Sequence, residues 1–120
     1  MKTTTFRLRT ERSECVVDIT DRCADFARQA AAGEDGLLHV FVPHATAGLA
    51  IMELGASSDR DLLAVLGMFL PADDRWLHAH GSGGHGRSHV LPAFLPRSPR
   101  CPWWVGRSRW ARGSRSRSST

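Results

Sequence analysis

The stretch GLLHVFVPHATAGLAIMEL, residues 36–54, is the most apolar part of the chain. Residues 36–42 place apolar side chains on both faces of an extended chain apart from His39, which is typical of a central strand. Pro43 predicts a turn, and residues 45–54 predict a second apolar strand. Because polar and turn-forming residues interrupt the stretch, it is too short to span a membrane as a helix. It therefore predicts two central strands of a sheet.

The segments on either side of these strands predict two helices and two further strands. Thr20 offers an N-cap oxygen to an Ala-rich segment that Gly33 closes, and a second segment with apolar residues every three or four positions ends before Pro71. Residues 3–9 and 14–19 alternate as strands do. The order ββαββα predicts an α+β fold with a mostly antiparallel sheet and two packed helices.

The charges divide the 120 residues into two parts. Residues 1–95 carry nine Lys or Arg and twelve Asp or Glu, whereas residues 96–120 carry seven Arg and no acidic residue. We therefore predict an α+β domain over residues 1–95 and a disordered Arg/Ser-rich tail over residues 96–120. Three prolines of the tail, at 96, 99 and 102, are expected to block strand pairing there.

The cysteines and the N-terminus indicate the compartment. Cys15, Cys23 and Cys101 are widely spaced and form no CxxC pair, so we expect reduced thiols. The first ten residues lack the apolar run of a signal peptide. Both features predict a cytoplasmic protein without a membrane partner.

Four of the six histidines lie in the segment HAHGSGGHGRSH, residues 78–89. His78 and His80 would share a face if this chain were extended, and His85 and His89 would share one if it were helical. Imidazole binds transition metals and titrates near neutral pH, so this density predicts either metal binding or proton transfer. The glycines allow backbone N–H groups to turn inward around an anion, and Arg87 adds a positive charge. The alternative is a flexible surface loop in which the histidines have no function. His39, alone on an apolar strand, is interpreted as a core residue.

Glu53 and His44 form a second candidate site at the ends of the segment 44–53. Glu53 either lies at a solvated strand edge or completes a His-carboxylate site with His44. Asp59 and Asp61 fall in the first turn of the second predicted helix, where a negative charge stabilises the helix dipole.

Three motifs together resemble the YjbQ family: DIT at 18–20, HATAGLAIMELGASSDRDLL at 44–63 and HAHGSGGHGRSHVLPA at 78–93. The resemblance covers about residues 3–95 and implies a small α+β subunit that forms a homotrimer. Ala45 departs from the commoner Thr of the family pattern. The pocket residues that the resemblance implies are His44, Thr46, Glu53, Asp59, His78, Gly84, His85 and His89.

The family is named for a secondary thiamine-phosphate synthase activity, so the resemblance implies a transferase that joins a pyrimidine pyrophosphate to a thiazole phosphate and releases pyrophosphate. A divalent metal, zinc or magnesium, and cationic groups near the leaving oxygens would supply the catalysis. We assign catalysis to His44, Glu53 and His85. Substrate phosphate is assigned to Thr46, Gly84, Gly86 and Arg87. The metal is assigned to His78, His85 and His89.

Beyond Pro96 the sequence departs from the family pattern, and a shift of reading frame would explain the departure. One alternative is therefore a truncated or inactive family member. Another is a nucleic-acid-binding module, because the tail combines seven arginines with three tryptophans that could stack on bases. The frame shift accounts for the same residues without any function, so we predict no specific nucleic-acid partner.

Overall fold

Three helices, one short 3-10 helix and a two-stranded sheet make up the regular structure of the computed structural model, which describes residues 1–10, 13–78 and 80–103. In chain order these elements are α1 (Thr20–Ala31), β1 (Gly36–His39), α2 (Ser58–Phe69), α3 (Arg87–Val90), the 3-10 helix (Leu91–Ala93) and β2 (Arg100–Trp103). The predicted α+β class and both long helices are confirmed.

The sheet pairs β1 with β2 in antiparallel orientation, and Leu38 lies opposite Cys101. The same register continues past the strand ends, because Val40 donates its N–H to the carbonyl of Pro99 at 3.2 Å and Val42 donates to that of Arg97 at 2.9 Å. Residues 97–103 are therefore part of the sheet region. Our expectation of a disordered tail over residues 96–120 is wrong for Arg100–Trp103, and residues 104–120 lie outside the described residues.

The register explains why proline is compatible with β2. Hydrogen-bonded and non-hydrogen-bonded pairs alternate along an antiparallel ladder. Val40 and Pro99 form a hydrogen-bonded pair. Pro102, opposite Leu37, therefore falls in a non-hydrogen-bonded pair, where its backbone nitrogen points away from β1. Pro99 falls where the missing N–H would have bonded β1, and β2 begins one residue later. The prediction that all three prolines block pairing did not take the register into account.

Helix α1 is closed at both ends by local hydrogen bonds. The carboxylate of Asp18 accepts the N–H of Thr20 at 2.8 Å, and this pairing with Thr20 lowers the pKa of Asp18. Thr20 is therefore the first helical residue instead of the cap. At the other end Ala32 and Gly33 take positive φ values of 50° and 93°, which reverses the chain toward β1 as the glycine predicted.

The core lies where α1 covers the sheet. Its buried side chains are Cys23, Ala24, Ala27, Leu38, Cys101 and Trp103. The small residues of α1 allow the helix to approach the strands closely, so the core depends on few large side chains. Cys23 and Cys101 are free thiols, and burial raises the pKa of both.

The strands predicted over residues 3–9, 14–19 and 45–54 are absent from the described part of the chain. The N-terminal segment is instead held by side chains, since Lys2 Nζ donates to the carbonyl of Ala30 at 2.8 Å. Leu49 donates its N–H to the carbonyl of Pro96 at 2.9 Å, and proline has no N–H to return. This contact alone forms no strand over residues 45–54.

Helix α2 has no buried residue among those that the structure describes. Its apolar side chains Val65, Met68 and Phe69 are 54%, 80% and 68% exposed. The ring of Phe69 contacts that of Phe94 edge to face, with centroids 5.7 Å apart. The face of α2 that carries these side chains therefore stays largely uncovered within one chain.

Among the helices within the described residues, each is too short or too polar to cross a lipid bilayer.

Leu38 and Leu37 provide a matched test of where the core lies, because Leu38 is 8% exposed and its neighbour Leu37 is 64% exposed. We expect Leu38→Ala to lower the free energy of unfolding by about 2–5 kcal/mol, since it leaves a cavity against α1. Leu37→Ala should change it by about 0.5 kcal/mol or less. Urea denaturation followed by circular dichroism measures both, and equal losses would contradict the described packing.

Candidate functional site

Three histidine rings meet between the loop after α2 and the helix α3. The Nε2 atoms of His78 and His80 lie 2.6 Å apart, and the ring centroid of His89 lies 3.9 Å from that of His78 and 5.5 Å from that of His80. One ring nitrogen from each residue lies within 4.8 Å of the other two. All three residues are exposed, so a solvent ion can reach them. Three converging imidazoles are a ligand set that transition metals prefer.

His78, His80 and His89 form a tri-histidine cluster. His85 is a fourth imidazole at its edge. Its Nε2 lies 3.1 Å from Nε2 of His89, and its ring centroid lies 5.9 Å from that of His80. Residues four apart share a face in a helical turn, which brings His85 and His89 together as the sequence predicted. His85 is half-buried, so it can orient a ligand or exchange a proton with it.

Close backbone packing brings the two halves of the cluster together. Gly86 is buried against Trp76, and a Cβ atom at Gly86 would collide with that ring and lie 2.9 Å from the carbonyl oxygen of His78. The indole N–H of Trp76 donates to the carbonyl of Pro71 at 2.9 Å. Trp76 therefore fixes the loop just before His78 against the residue just after His85.

A second contact of the same loop is polar. The N–H of Gly84 donates to Oδ1 of Asp74 at 2.9 Å, across ten residues of chain. Gly84 has a φ of +72°, and a Cβ there would lie 2.9 Å from the carbonyl oxygen of Ala72. Only glycine fits this position without strain. The Gly-rich loop thus turns one N–H toward a carboxylate of the chain itself.

The neighbouring aspartate makes a local ion pair instead. Both carboxylate oxygens of Asp73 bond Arg75, with Nη2 at 2.7 Å, and this lowers the pKa of Asp73. A cavity of about 140 Å³ is lined by Asp73, Asp74, Trp76, His78, His80 and the loop of residues 81–86, which includes His85. The lining combines carboxylates and imidazoles, which suits a cation.

A larger cavity of about 360 Å³ lies between α1 and β1. Apolar side chains such as Phe26 and Leu38 line much of it, and its lining within the described residues contains no histidine. Of the two cavities, the smaller one is therefore the one that imidazoles line.

Arg87, assigned to phosphate, makes an ion pair with Glu14 at 2.8 Å. The Arg87 side chain is only 11% exposed, whereas that of Glu14 is 57% exposed. The pair ties α3 to the N-terminal segment. Gly86 is buried in packing, Gly84 bonds Asp74 and Thr46 bonds His44, so all four assigned phosphate-binding residues already have contacts within the chain.

The remaining assigned residues lie on another part of the chain. His44 Nδ1 accepts the N–H of Thr46 at 3.2 Å and lies 3.0 Å from its hydroxyl, and both residues are exposed. Glu53 is exposed, and its carbonyl accepts the hydroxyl of Ser58 at 2.7 Å. No hydrogen bond or ion pair joins His44 or Glu53 to the four histidines in the described residues. Asp59 lies in the first turn of α2.

We assigned His78, His85 and His89 to the metal, whereas the ring nitrogens that lie within 4.8 Å of one another belong to His78, His80 and His89. The signal for His80 was the alternation in the segment HAH, because two residues apart share a side of an extended chain. The contributions of Asp74 and Trp76 had no sequence signal, since each acts through a residue ten positions farther along.

The pKa of His89 lies below its ordinary value of 6.5. The largest cause is the loss of hydrating water beside neighbouring groups, and positive charge on His78, His85 or His80 adds repulsion. The cluster therefore favours neutral imidazole at His89, and neutral imidazole is the form that binds a metal.

The family model described as "UPF0047 protein YjbQ-like" matches residues 4–110. The chain belongs to this family. The match continues past Pro96, where we expected the resemblance to end. The YjbQ-like region therefore includes β2.

Several curated proteins resemble this YjbQ-like chain. The UPF0047 protein Mb2586c of Mycobacterium bovis and the UPF0047 protein MT2633 of Mycobacterium tuberculosis are each 55% identical to it over 87 residues, which is 72% of this chain. The match spans 65% of the length of each relative. Among solved structures, the crystal structure of hypothetical protein APE1520 from Aeropyrum pernix K1 has a TM-score of 0.78 at 25% identity, covering 92% of this chain and 83% of that one.

Titration of His89 tests the described cluster. We expect its midpoint, followed by NMR of the ring protons in metal-free protein, to lie below 6.5. Since the unfolded chain then binds the proton more readily, the contribution of His89 to stability is present above about pH 6.5 and is lost as the pH falls through the lowered folded pKa.

The variant His78→Ala is the control for this titration. It removes one of the charges that lower the pKa of His89, so the midpoint should rise toward 6.5. An unchanged midpoint in this variant would show that the two rings do not interact in solution.

Proposed function

We propose that this YjbQ-like protein binds one divalent transition metal through His78, His80 and His89. The convergence of three exposed ring nitrogens within 4.8 Å carries the proposal. Imidazole ligands favour zinc over magnesium, which prefers oxygen. Of the two metals expected from the resemblance, zinc is therefore the one that we propose.

The spacing of the nitrogens is compatible with this ion. Two nitrogens on one tetrahedral zinc lie about 3.3 Å apart, given bonds of about 2.0–2.1 Å. The His78 and His80 nitrogens, 2.6 Å apart, need a small outward rotation of the rings, which exposed side chains make at low cost. Three protein ligands leave a fourth position for water or for an oxygen of a substrate, which is the pattern of catalytic zinc sites.

We further propose that the substrate is a small phosphorylated molecule whose oxygen atoms face this fourth position. Gly84 and Arg87 were expected to bind this phosphate, but the Gly84 N–H and the Arg87 guanidinium each already have a carboxylate partner. The metal then provides the main positive charge for the phosphate. We propose that His85, beside His89, donates a proton to the leaving pyrophosphate oxygen.

The proposed reaction is the synthesis of thiamine phosphate. The ring nitrogen of a thiazole phosphate forms a bond to the methylene carbon of a pyrimidine pyrophosphate, and the bond from that carbon to the pyrophosphate oxygen breaks. The electron pair leaves with pyrophosphate, so the positive charge at the site stabilises the developing negative charge. No oxidant or reductant is required. His44 and Glu53 stay predictions as further catalytic residues.

We also propose that a second copy of the chain covers the exposed face of α2, as the homotrimer implied by the resemblance requires. The support is the group of exposed apolar side chains Val65, Met68 and Phe69, which together with Phe94 form a contiguous patch at the ring contact. Single exposed apolar residues are ordinary, but a patch of this kind marks an interaction surface.

Metal titration tests the site itself. We expect metal-free protein to bind one equivalent of Co²⁺, used as a coloured substitute for zinc, with the absorption of a tetrahedral site. His89→Ala should weaken binding at least tenfold by removing one ligand. His39→Ala is the matched control and should bind as the wild type does. Our interpretation of His39 as a core residue is wrong, since it is an exposed imidazole on β1 outside the cluster. Equal affinities of all three proteins would refute the site.

Activity is tested separately with the zinc-loaded chain. We expect pyrophosphate release from the pyrimidine pyrophosphate only when the thiazole phosphate is present, and a large loss of kcat in His85→Ala with zinc binding retained. A chain that binds zinc and releases no pyrophosphate would favour the alternative of an inactive family member, and the metal site would stand without the reaction.

Sedimentation tests self-association. The proposed homotrimer should dissociate in Met68→Glu, which places a charge on the α2 face, and should persist in Arg28→Glu on the exposed side of α1. A wild-type chain that sediments as a monomer at all concentrations would contradict the proposal.

A further inference from the structure

We propose that Asp74 is the positioning residue of the tri-histidine cluster, acting through the backbone N–H of Gly84 and without binding the metal. The inference rests on the proposed metal site. It adds a role for a residue that neither the sequence motifs nor the resemblance singled out.

The two halves of the cluster come from opposite sides of one hydrogen bond. His78 and His80 lie between Asp74 and Gly84, whereas His85 and His89 follow Gly84. The bond from Gly84 N–H to Asp74 Oδ1, 2.9 Å long, closes the chain segment that carries the first pair onto the start of the segment that carries the second. Opening it would let the two pairs separate.

The packing around Gly84 makes this bond directional. The positive φ of 72° turns the N–H toward the aspartate, and the carbonyl of Ala72 occupies the space where a side chain would project. Gly83 lies beside the same carboxylate, since a Cβ there would be 3.4 Å from Oδ1. The carboxylate of Asp74 therefore contacts the loop at Gly83 and Gly84, which have no side chains to obstruct it.

Asp73 lacks such a connection and serves as a built-in comparison. It lies next to Asp74 and lines the same cavity, but its carboxylate bonds Arg75, two residues away, and so closes no large loop. Removing Asp73 changes the local charge by the same amount without releasing Gly84. A general loss of negative charge and a specific loss of loop closure are thus separable.

The consequence for metal binding follows from preorganisation. A flexible loop must order its ligands when the ion binds, and this cost appears as weaker affinity. Residues that hold ligands from outside the coordination shell typically contribute 10–100-fold to metal affinity. We expect an effect of that size when Asp74 loses its acceptor atom.

The experiment compares Co²⁺ affinity and spectrum in four full-length proteins: wild type, Asp74→Ala, Asp74→Asn and Asp73→Ala. Asp74→Ala should bind about 10–100-fold more weakly. Asp74→Asn keeps an oxygen acceptor for the Gly84 N–H and should restore most of the affinity. Asp73→Ala should bind within about threefold of wild type. Thermal midpoints of the metal-free proteins confirm that each variant folds.

Each result assigns a cause. If Asp74→Asn binds as weakly as Asp74→Ala, the carboxylate acts as a ligand or by its charge, and the positioning role is wrong. If Asp74→Ala matches Asp73→Ala, loop closure does not matter and the inference is overturned while the metal site stands. If the wild type binds no Co²⁺, the proposed function fails and the inference fails with it. Hydrogen exchange at the Gly84 amide should be faster in Asp74→Ala and unchanged in Asp73→Ala.

Discussion

The antiparallel pairing of β1 with β2 determines the arrangement of the described chain, because it joins residues more than sixty positions apart. Leu38 opposite Cys101 supplies the apolar surface that α1 covers. The ladder then continues through Val42 and Arg97, so the chain that leaves the 3-10 helix is held beside the chain that leaves β1. Helix α3 and the four histidines of residues 78–89 lie within the loop that this pairing closes.

Local patterns predicted the helices well and the sheet poorly. The periodicity of α1 and α2 depends on residues three or four apart, and the structure confirms both helices. A strand needs a partner whose position the sequence does not state. Residues 45–54 have a strand-like composition, but what joins them to the chain before β2 is the backbone hydrogen bond from Leu49 to Pro96, and no strand forms there. Proline is unfavourable in a strand, but the register places Pro102 where β1 requires no N–H from it.

The site shows the same division between local and distant information. The density of histidines over residues 78–89 predicted a cluster, and the spacing of His85 and His89 predicted their contact. Which ring completes the group of three depends on Trp76 packing on Gly86, a contact between residues that no periodicity relates. The alternation in HAH placed His80 on the side of His78, but only the three-dimensional arrangement shows which three rings converge. His44 and Glu53, joined by motif alone, lie apart from the histidines in their hydrogen bonding.

The position of Pro102 also bears on how the sheet meets other molecules. The open edge of a β-sheet attracts extended segments of other chains into unwanted fibrous assembly. At Pro102 the backbone of β2 directs its nitrogen toward its outer edge, and that nitrogen carries no hydrogen. An approaching strand would meet a pyrrolidine ring where it needs a donor. Pro102 is thus compatible with the pairing of β2 to β1 and disfavours the pairing of a further strand to the other side of β2.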